Sequence, residues 1–443
     1  MRVASPAFPL FAAAALTVAT VSLLAGPTTA SASTGTPTFT QLVAPSTLAD
    51  AKNAGEPSLG VNGISGALMY QSNASTYRVT VTDAATGRAT WMRVTPRSSV
   101  FNVDPILSTD RATGVTYAGG LNGECSVLSS TADDGASWSP VGNACAGVLD
   151  HESIGAGAWK GTAPLGSTAS RAVYYCAQNG IDACATSGNG GLTFGPPTLV
   201  TGVCNSLHGH VKVSADGTAY LPNAHCAGNA GGGISTNNGA SWSSYTIPFS
   251  TEPADGFDPS VATTPDNKVY EAWQGGDNHP MVALSDTHGS TWSTPVDLGK
   301  TMSPAIVSST YQAVTAGDNG RVAVSYLGST TGGNAFAPGW TGVWDLYVSY
   351  TYDGGKTWTT VKATADPVQR GYICAGGTAC AAGRNLLDFM DANMTKDGRV
   401  VVGYADGCIG ACALPGGTEA QSTASYATIA LQSGGRSLLA SQD

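Results

Sequence analysis

Six histidines occur in the 443 residues, and four of them, His151, His208, His210 and His225, fall within one stretch of the chain. His151 precedes Glu152 in "DHESIGA", and His208 and His210 share "LHGHVKV". Imidazoles beside carboxylates can ligate a divalent metal or act as general acid and base near neutral pH. Carboxylates recur in similar short settings: Glu56 in "GEPSLGV", Asp104 in "VDPILST", Asp258 in "FDPSVAT", and Asp388 and Asp391 in "LLDFMDA". Two such groups suffice to hydrolyse a glycosidic bond, one as acid and one as nucleophile or base. A histidine base with a metal suits elimination at a uronic acid instead. The catalytic candidates are therefore His151, Glu152, His208, His210, Asp258 and Asp391. His151, His208 and His210 are the candidate ligands of one divalent ion, whether calcium, manganese or zinc. Glu56, Asp104, Asp388 and Arg384 are the candidate substrate contacts. The plain alternative is that an acid followed by Pro or Ser caps a turn, that His225 packs on Cys226, and that His279 and His288 are loop residues.

These side chains are far apart in sequence, so repeated elements must gather them. Seven β-prone runs supply such elements: "ALMYQSN" (67–73), "VTYAGGL" (115–121), "AVYYCAQ" (172–178), "TAYLPNA" (218–224), "KVYEAWQ" (268–274), "RVAVSYL" (321–327) and "RVVVGYA" (399–405). Several follow a tight turn, as in "ADGTAY" and "KDGRVV", which is hairpin chemistry. Each candidate acid or imidazole opens the strand before such a run. Before the sixth run the chain reads "SPAIVSS" and contributes no charge.

A second pattern runs out of phase with the first. Thr131, Asp133, Gly135 and Trp138 return as Ser187, Asn189, Gly191 and Phe194; as Ser235, Asn237, Gly239 and Trp242; as Ser285, Thr287, Gly289 and Trp292; and as Thr351, Asp353, Gly355 and Trp358. The acid or amide folds back onto backbone N–H groups, the glycine takes a positive φ, and the ring packs beneath the turn. Asp104 precedes Thr131 by the same 27 positions that separate His208 from Ser235 and Asp258 from Ser285.

This spacing resembles the Asp box of sialidase-like (BNR) β-propellers. The resemblance implies an all-β propeller over residues 33–443, and the seven β-prone runs predict seven blades, with six blades plus an appended hairpin or a double sandwich as the alternatives. It implies that the turns are structural and that chemistry lies at the central channel, where innermost strands meet. True sialidases bind the substrate carboxylate with three arginines, one early in the first blade. Here no arginine lies between Arg2 and Arg78, so sialic acid hydrolysis does not carry over.

The opening residues, a charged Arg2, an apolar run and Ala30-Ser31-Ala32, read as a secretory signal over residues 1–32. No later segment is apolar enough for a membrane span. A net charge of −10 argues against nucleic acid and anionic membranes. Ten cysteines in neighbouring couples, 125 with 145, 176 with 184, 204 with 226, 374 with 380 and 408 with 412, suggest sequential disulfides, with a zinc site the alternative. Long segments around Trp340, Trp344 and Tyr372 offer aromatic faces to sugars. Together these features predict a secreted monomer acting on extracellular glycans, as a glycoside hydrolase first, a metal-dependent polysaccharide lyase or a glycan- or metal-binding propeller otherwise.

Overall fold

The computed structural model describes residues 1–2, 35–99, 104–123, 125–142, 144–145, 150–178, 180–204, 207–253, 257–418, 423 and 425–443. The signal segment lies outside the described residues. The protein is an all-β β-propeller in which helix, among the described residues, is confined to short 3₁₀ turns such as Leu298–Thr301. None of these residues forms a helix long and apolar enough to cross a membrane.

The β-prone runs become strands with little or no exposed surface. Ala172–Gln178, Val269–Gln274 and Val322–Ser329 are buried at every position. A strand covered on both faces needs apolar or small side chains throughout, hence continuous runs rather than alternation. Each such run pairs antiparallel with the strand before it. These are Ser58–Val61, Pro105–Thr109, Asp150–Gly157, Lys212–Val213, Ser260–Thr263, Ser308–Ala316 and Asp391–Met394. In that order each of these strands contacts the next, and Asp391–Met394 returns to Ser58–Val61, so they form a closed ring around one axis. The ring is locked by the first strand of the chain, Thr38–Val43, which pairs with Tyr426–Gly434 at the other end of the sequence. Between the first and last sheets, Leu42, Leu59, Tyr70, Tyr77, Trp91, Val401 and Ile429 form a shared core.

The five repeated turns have one hydrogen-bond pattern. In the first, Gly135 N donates to Thr131 Oγ1 at 3.0 Å and Ser137 N donates to Asp133 Oδ1 at 2.9 Å. Gly135 has a φ of +81°, and a Cβ there would lie 2.7 Å from a Val94 methyl, so only glycine fits. The disulfides are Cys125–Cys145, Cys176–Cys184, Cys204–Cys226, Cys374–Cys380 and Cys408–Cys412, the sequential pairing read from the sequence. They are the bonds of a chain folded in an oxidising compartment.

The blade count departs from expectation. Five sheets of four or five strands stand alone, but the sixth has eight strands, so the protein has neither seven nor six separate blades. The cause is an outer-edge contact. Val200 and Thr201 pair in parallel with Trp242 and Ser243, and Val203 N donates to Ser244 Oγ at 2.9 Å. Two outermost strands thereby satisfy each other's unpaired backbone groups and merge two four-strand runs.

Candidate active site at one end of the channel

Side-chain to backbone bonds between adjacent innermost strands set the level of every channel residue. Ser153 Oγ accepts from Val211 N at 2.7 Å, Ser260 Oγ from Val314 N at 3.0 Å, and Asp391 Oδ2 from Leu59 N at 3.0 Å. Aligning the strands on these bonds brings Glu56, His151, His208, Asp258, Tyr311 and Phe389 to one level, two residues before Ser153, Ser260 and Asp391 in their own strands. Asp104 joins them through the adjoining strand, whose Pro105 carbonyl accepts from Ser58 Oγ at 3.0 Å. Glu56, His151 and Tyr311 have φ values of +52°, +57° and +58°. Side chains this bulky rarely occupy that region, and such strain concentrates at functional sites.

At the centre is an ion pair. His151 Nε2 lies 2.8 Å from Asp258 Oδ2, both side chains being buried. Burial opposes protonation of His151, but the charges of Asp258, Asp104 and Asp388 outweigh it and hold the imidazolium to about pH 10. Burial pushes the Asp258 carboxyl up to about 6 against the pull of His151. At neutral pH the pair is charged.

The neighbouring imidazoles are neutral. His208 packs edge-on to His151 at 5.1 Å between ring centres, and its Nδ1 lies 2.9 Å from the Gly209 carbonyl oxygen, which places the proton on Nδ1. Burial, with the charge of His151, depresses it to about 3. His210, also depressed chiefly by burial, packs edge-on against Phe389 at 4.7 Å.

Burial pushes two carboxyls toward the acid form. Glu56 Oε1 accepts from Asp388 N at 3.0 Å, while Oε2 is buried without a hydrogen-bond partner. Burial, then the charges of Asp388 and Asp104, raise it well above the usual carboxylate range. Burial and Asp104 do the same to Glu152. The half-buried Asp388 is gripped by both terminal nitrogens of Arg384. Tyr311 donates its hydroxyl to the Leu387 carbonyl, and burial raises its phenol well above the usual value. At neutral pH that hydroxyl is un-ionised.

Glu56, Asp104, His151, Glu152, His208, Asp258, Asp388 and Arg384 are thus gathered at one end of the channel, and His210 reaches them through Phe389. Two candidates are corrected. Asp391 sits two residues deeper than Phe389, in the slot that Ser153 and Ser260 fill in other sheets. Its second oxygen accepts from Ala392 N at 2.9 Å, and it lines a separate 580 Å³ cavity with Arg111, Arg171 and Lys212. Asp391 is therefore an inter-sheet strut rather than a catalytic group. An Asp391→Ser variant should unfold within about 1 kcal/mol of the parent in a denaturant titration, because serine makes this bond elsewhere. Asp391→Ala, which leaves the buried Leu59 N–H unpaired, should lose about 1–3 kcal/mol; equal losses in both variants would refute the strut. Trp344 is the second correction. Its indole is fully buried between Phe336 and Trp340 and donates to the Gly371 carbonyl at 2.9 Å, so it has no face for a sugar.

The metal set expected at His151, His208 and His210 is not assembled. His151 Nε2 is committed to Asp258, and no group of three or more His, Cys, Asp or Glu side chains among the described residues is arranged to hold an ion.

Tyr311 and Phe389 are site residues that the sequence reading passed over. A usable signal existed: His208, Asp258, Tyr311 and Phe389 each lie 10 positions before the second-strand run that follows them, at Thr218, Lys268, Arg321 and Arg399. Reading blade six from "SPAIVSS" set its innermost strand too early. That strand runs Ser308–Ala316, with a bulge between Thr310 and Ala313 that turns Tyr311 into the channel level.

No family model matches the chain, and no curated protein does. Among solved structures it is similar to the Hadza microbial sialidase Hz136, at 14% identity and TM-score 0.40 over 86% of this chain and 66% of that one. It is also similar to a GH74 enzyme of Niastella koreensis, at 17% and 0.46, covering 84% of this chain but only 53% of the other. A six-bladed fucose-recognising lectin of Aleuria aurantia is similar at 16% and 0.42, over 72% and 96%. These likenesses transfer no residue roles to the channel.

Proposed function

We propose that the chain is a secreted carbohydrate-active propeller that hydrolyses a glycosidic bond of an extracellular glycan at the Glu56 end of the channel. The observation that carries this reading is a buried carboxyl, Glu56, one oxygen of which has no hydrogen-bond partner and whose acid form burial favours, at the same level as Asp104 and Asp388. Glu56 gives its proton to the glycosidic oxygen as the bond to the anomeric carbon breaks. Asp104, partly exposed on the neighbouring strand, acts as base on water or as nucleophile. Its charge and that of Asp388 favour the positive charge that develops on the sugar ring. The imidazolium of His151 cannot accept a proton near neutral pH, which disfavours a lyase that uses it as base.

The test is release of new reducing ends from a panel of neutral and acidic polysaccharides at pH 5–7. Turnover of at least one member supports hydrolysis. A folded protein that binds members of the panel and cleaves none would make it a lectin-like propeller instead.

A further inference from the structure

The outer strand of the first sheet, Arg88–Arg93, ends in an exposed arginine and leads through "VTPRSS" toward the second sheet. Between this connector and the first repeated turn lies a groove of 1080 Å³ at the perimeter of the ring, remote from the innermost strands. Three arginines line it: Arg78, Arg93 and Arg97. Among the described residues, none of the three guanidinium groups lies within 4 Å of a carboxylate, whereas Arg171, Arg321, Arg384, Arg399 and Arg436 all do. Arg78 instead donates to the Met92 sulfur at 3.2 Å and approaches the Asp134 carbonyl, and Arg93 Nε donates to Thr95 Oγ1 at 3.1 Å. The nearby acids are committed elsewhere. Asp133 is bound by the Ser137 and Thr131 hydroxyls of the turn, and Asp134 accepts from Asn62 Nδ2 at 2.7 Å.

In a chain of net charge −10 such a cluster is a local reversal of sign. Guanidinium forks without an acid partner are suited to bidentate recognition of sulfate or carboxylate. The same groove holds the hydroxyls of Ser98 and Ser99, the ring of Trp138 and the edge of Pro140. Trp138 is fixed by its Nε1 donating to the Val94 carbonyl at 2.5 Å, leaving a partly exposed indole for the apolar face of a pyranose.

We infer that this groove is a second glycan site, separate from the channel, that takes a sugar unit bearing a sulfate or carboxylate group. The inference rests on the carbohydrate reading above and names the class of polymer it concerns, an acidic polysaccharide held at the perimeter while the channel works on it. Acidic sugars interrupted by neutral ones fit better than a continuous polyanion, because the three-arginine cluster is local and the chain as a whole carries a net charge of −10.

Equilibrium binding to chondroitin sulfate, hyaluronan and dextran tests it, using Glu56→Gln protein so that cleavage does not intervene. Chondroitin sulfate or hyaluronan should bind, dextran should not, and affinity should fall as salt rises. Preference for chondroitin sulfate would assign sulfate as the recognised group, and equal binding of both polymers would assign the carboxylate. The Arg93→Gln, Arg97→Gln double variant should lose roughly 100-fold in affinity, about a factor of ten per charge-assisted contact, with an unchanged melting temperature. It should keep any activity on a neutral substrate. Undiminished affinity in that variant, dextran binding equal to that of the acidic polymers, or no binding by any acidic polymer would overturn the site. Loss of channel turnover with this binding intact would overturn only the hydrolase.

Discussion

Asp258→Asn should cost about 3–5 kcal/mol of folding stability at pH 7.5, the usual penalty for removing one member of a buried ion pair. The cause is the imidazolium of His151, 2.8 Å away, which would be left in the interior without its counter-ion. The pH dependence identifies the mechanism. The folded pKa of His151, about 10, stands above the 6.5 of an ordinary unpaired histidine. A raised cationic pKa contributes stability that is complete below the unfolded value and is lost as pH rises through the folded one. The parent should therefore weaken between pH 6.5 and 10. The variant, whose imidazole can shed its proton near neutrality, should not. The deficit measured by urea titration should be largest near pH 6.5, remain substantial at pH 7.5 and shrink toward pH 10.5. Asp258 works in the same sense at lower pH. Its folded value of about 6 lies above the ordinary 3.8, so its contribution is complete below 3.8 and disappears as pH rises through 6. A double variant, His151→Gln with Asp258→Asn, should recover part of the loss because neither partner is then a stranded charge. A deficit that stays constant from pH 7 to 10.5 would mean that the pair is not ionised.

The sequence disclosed the parts of this molecule that repeat and hid those that do not. Gly135, Gly191, Gly239, Gly289 and Gly355 all adopt the positive φ that their turns require, and so left a spaced mark in the chain. The cysteines were readable because every bridge closes a short loop. The acids and imidazoles were readable as a set because each opens an innermost strand. Their roles were not. His151 and Asp258 are 107 positions apart, and nothing local to either announces an ion pair. Asp391 looked like Asp258 because a carboxylate near a strand start has the same one-dimensional signature at either of two depths. Two residues of depth separate a channel group from a strut that replaces serine. Trp344 was misplaced because an aromatic beside a Gly-rich loop reads the same whether its ring lies in the core or over it. The eight-stranded sheet left no trace at all, since the parallel contact of Val200 and Thr201 with Trp242 and Ser243 requires no special residue.

Glu56→Gln should abolish turnover, by about 10²–10⁴-fold, while leaving the protein as stable as the parent or slightly more so at neutral pH. The two halves of this expectation come from one fact. The carboxyl of Glu56 is pushed toward its acid form by burial and by the charges of Asp388 and Asp104. Glutamine copies the shape of that acid form and keeps the acceptor oxygen for Asp388 N, so the fold is spared. It cannot release a proton, so the leaving group gets none. The stability sign follows the same shift. A raised carboxyl pKa gives stability that is complete below the unfolded value and is lost as pH rises, so at pH 7 the native glutamate is a burden that glutamine removes. The alkaline limb of kcat/KM in the parent should correspondingly lie above the ordinary carboxylate range. Glu152→Gln separates Glu56 from the other buried acid, since Glu152 shares the influence of Asp104 but makes no bond to the Asp388 backbone. If Glu152→Gln silences the enzyme and Glu56→Gln does not, the proton donor is Glu152. If both variants retain full turnover, the acid lies outside this ring of strands.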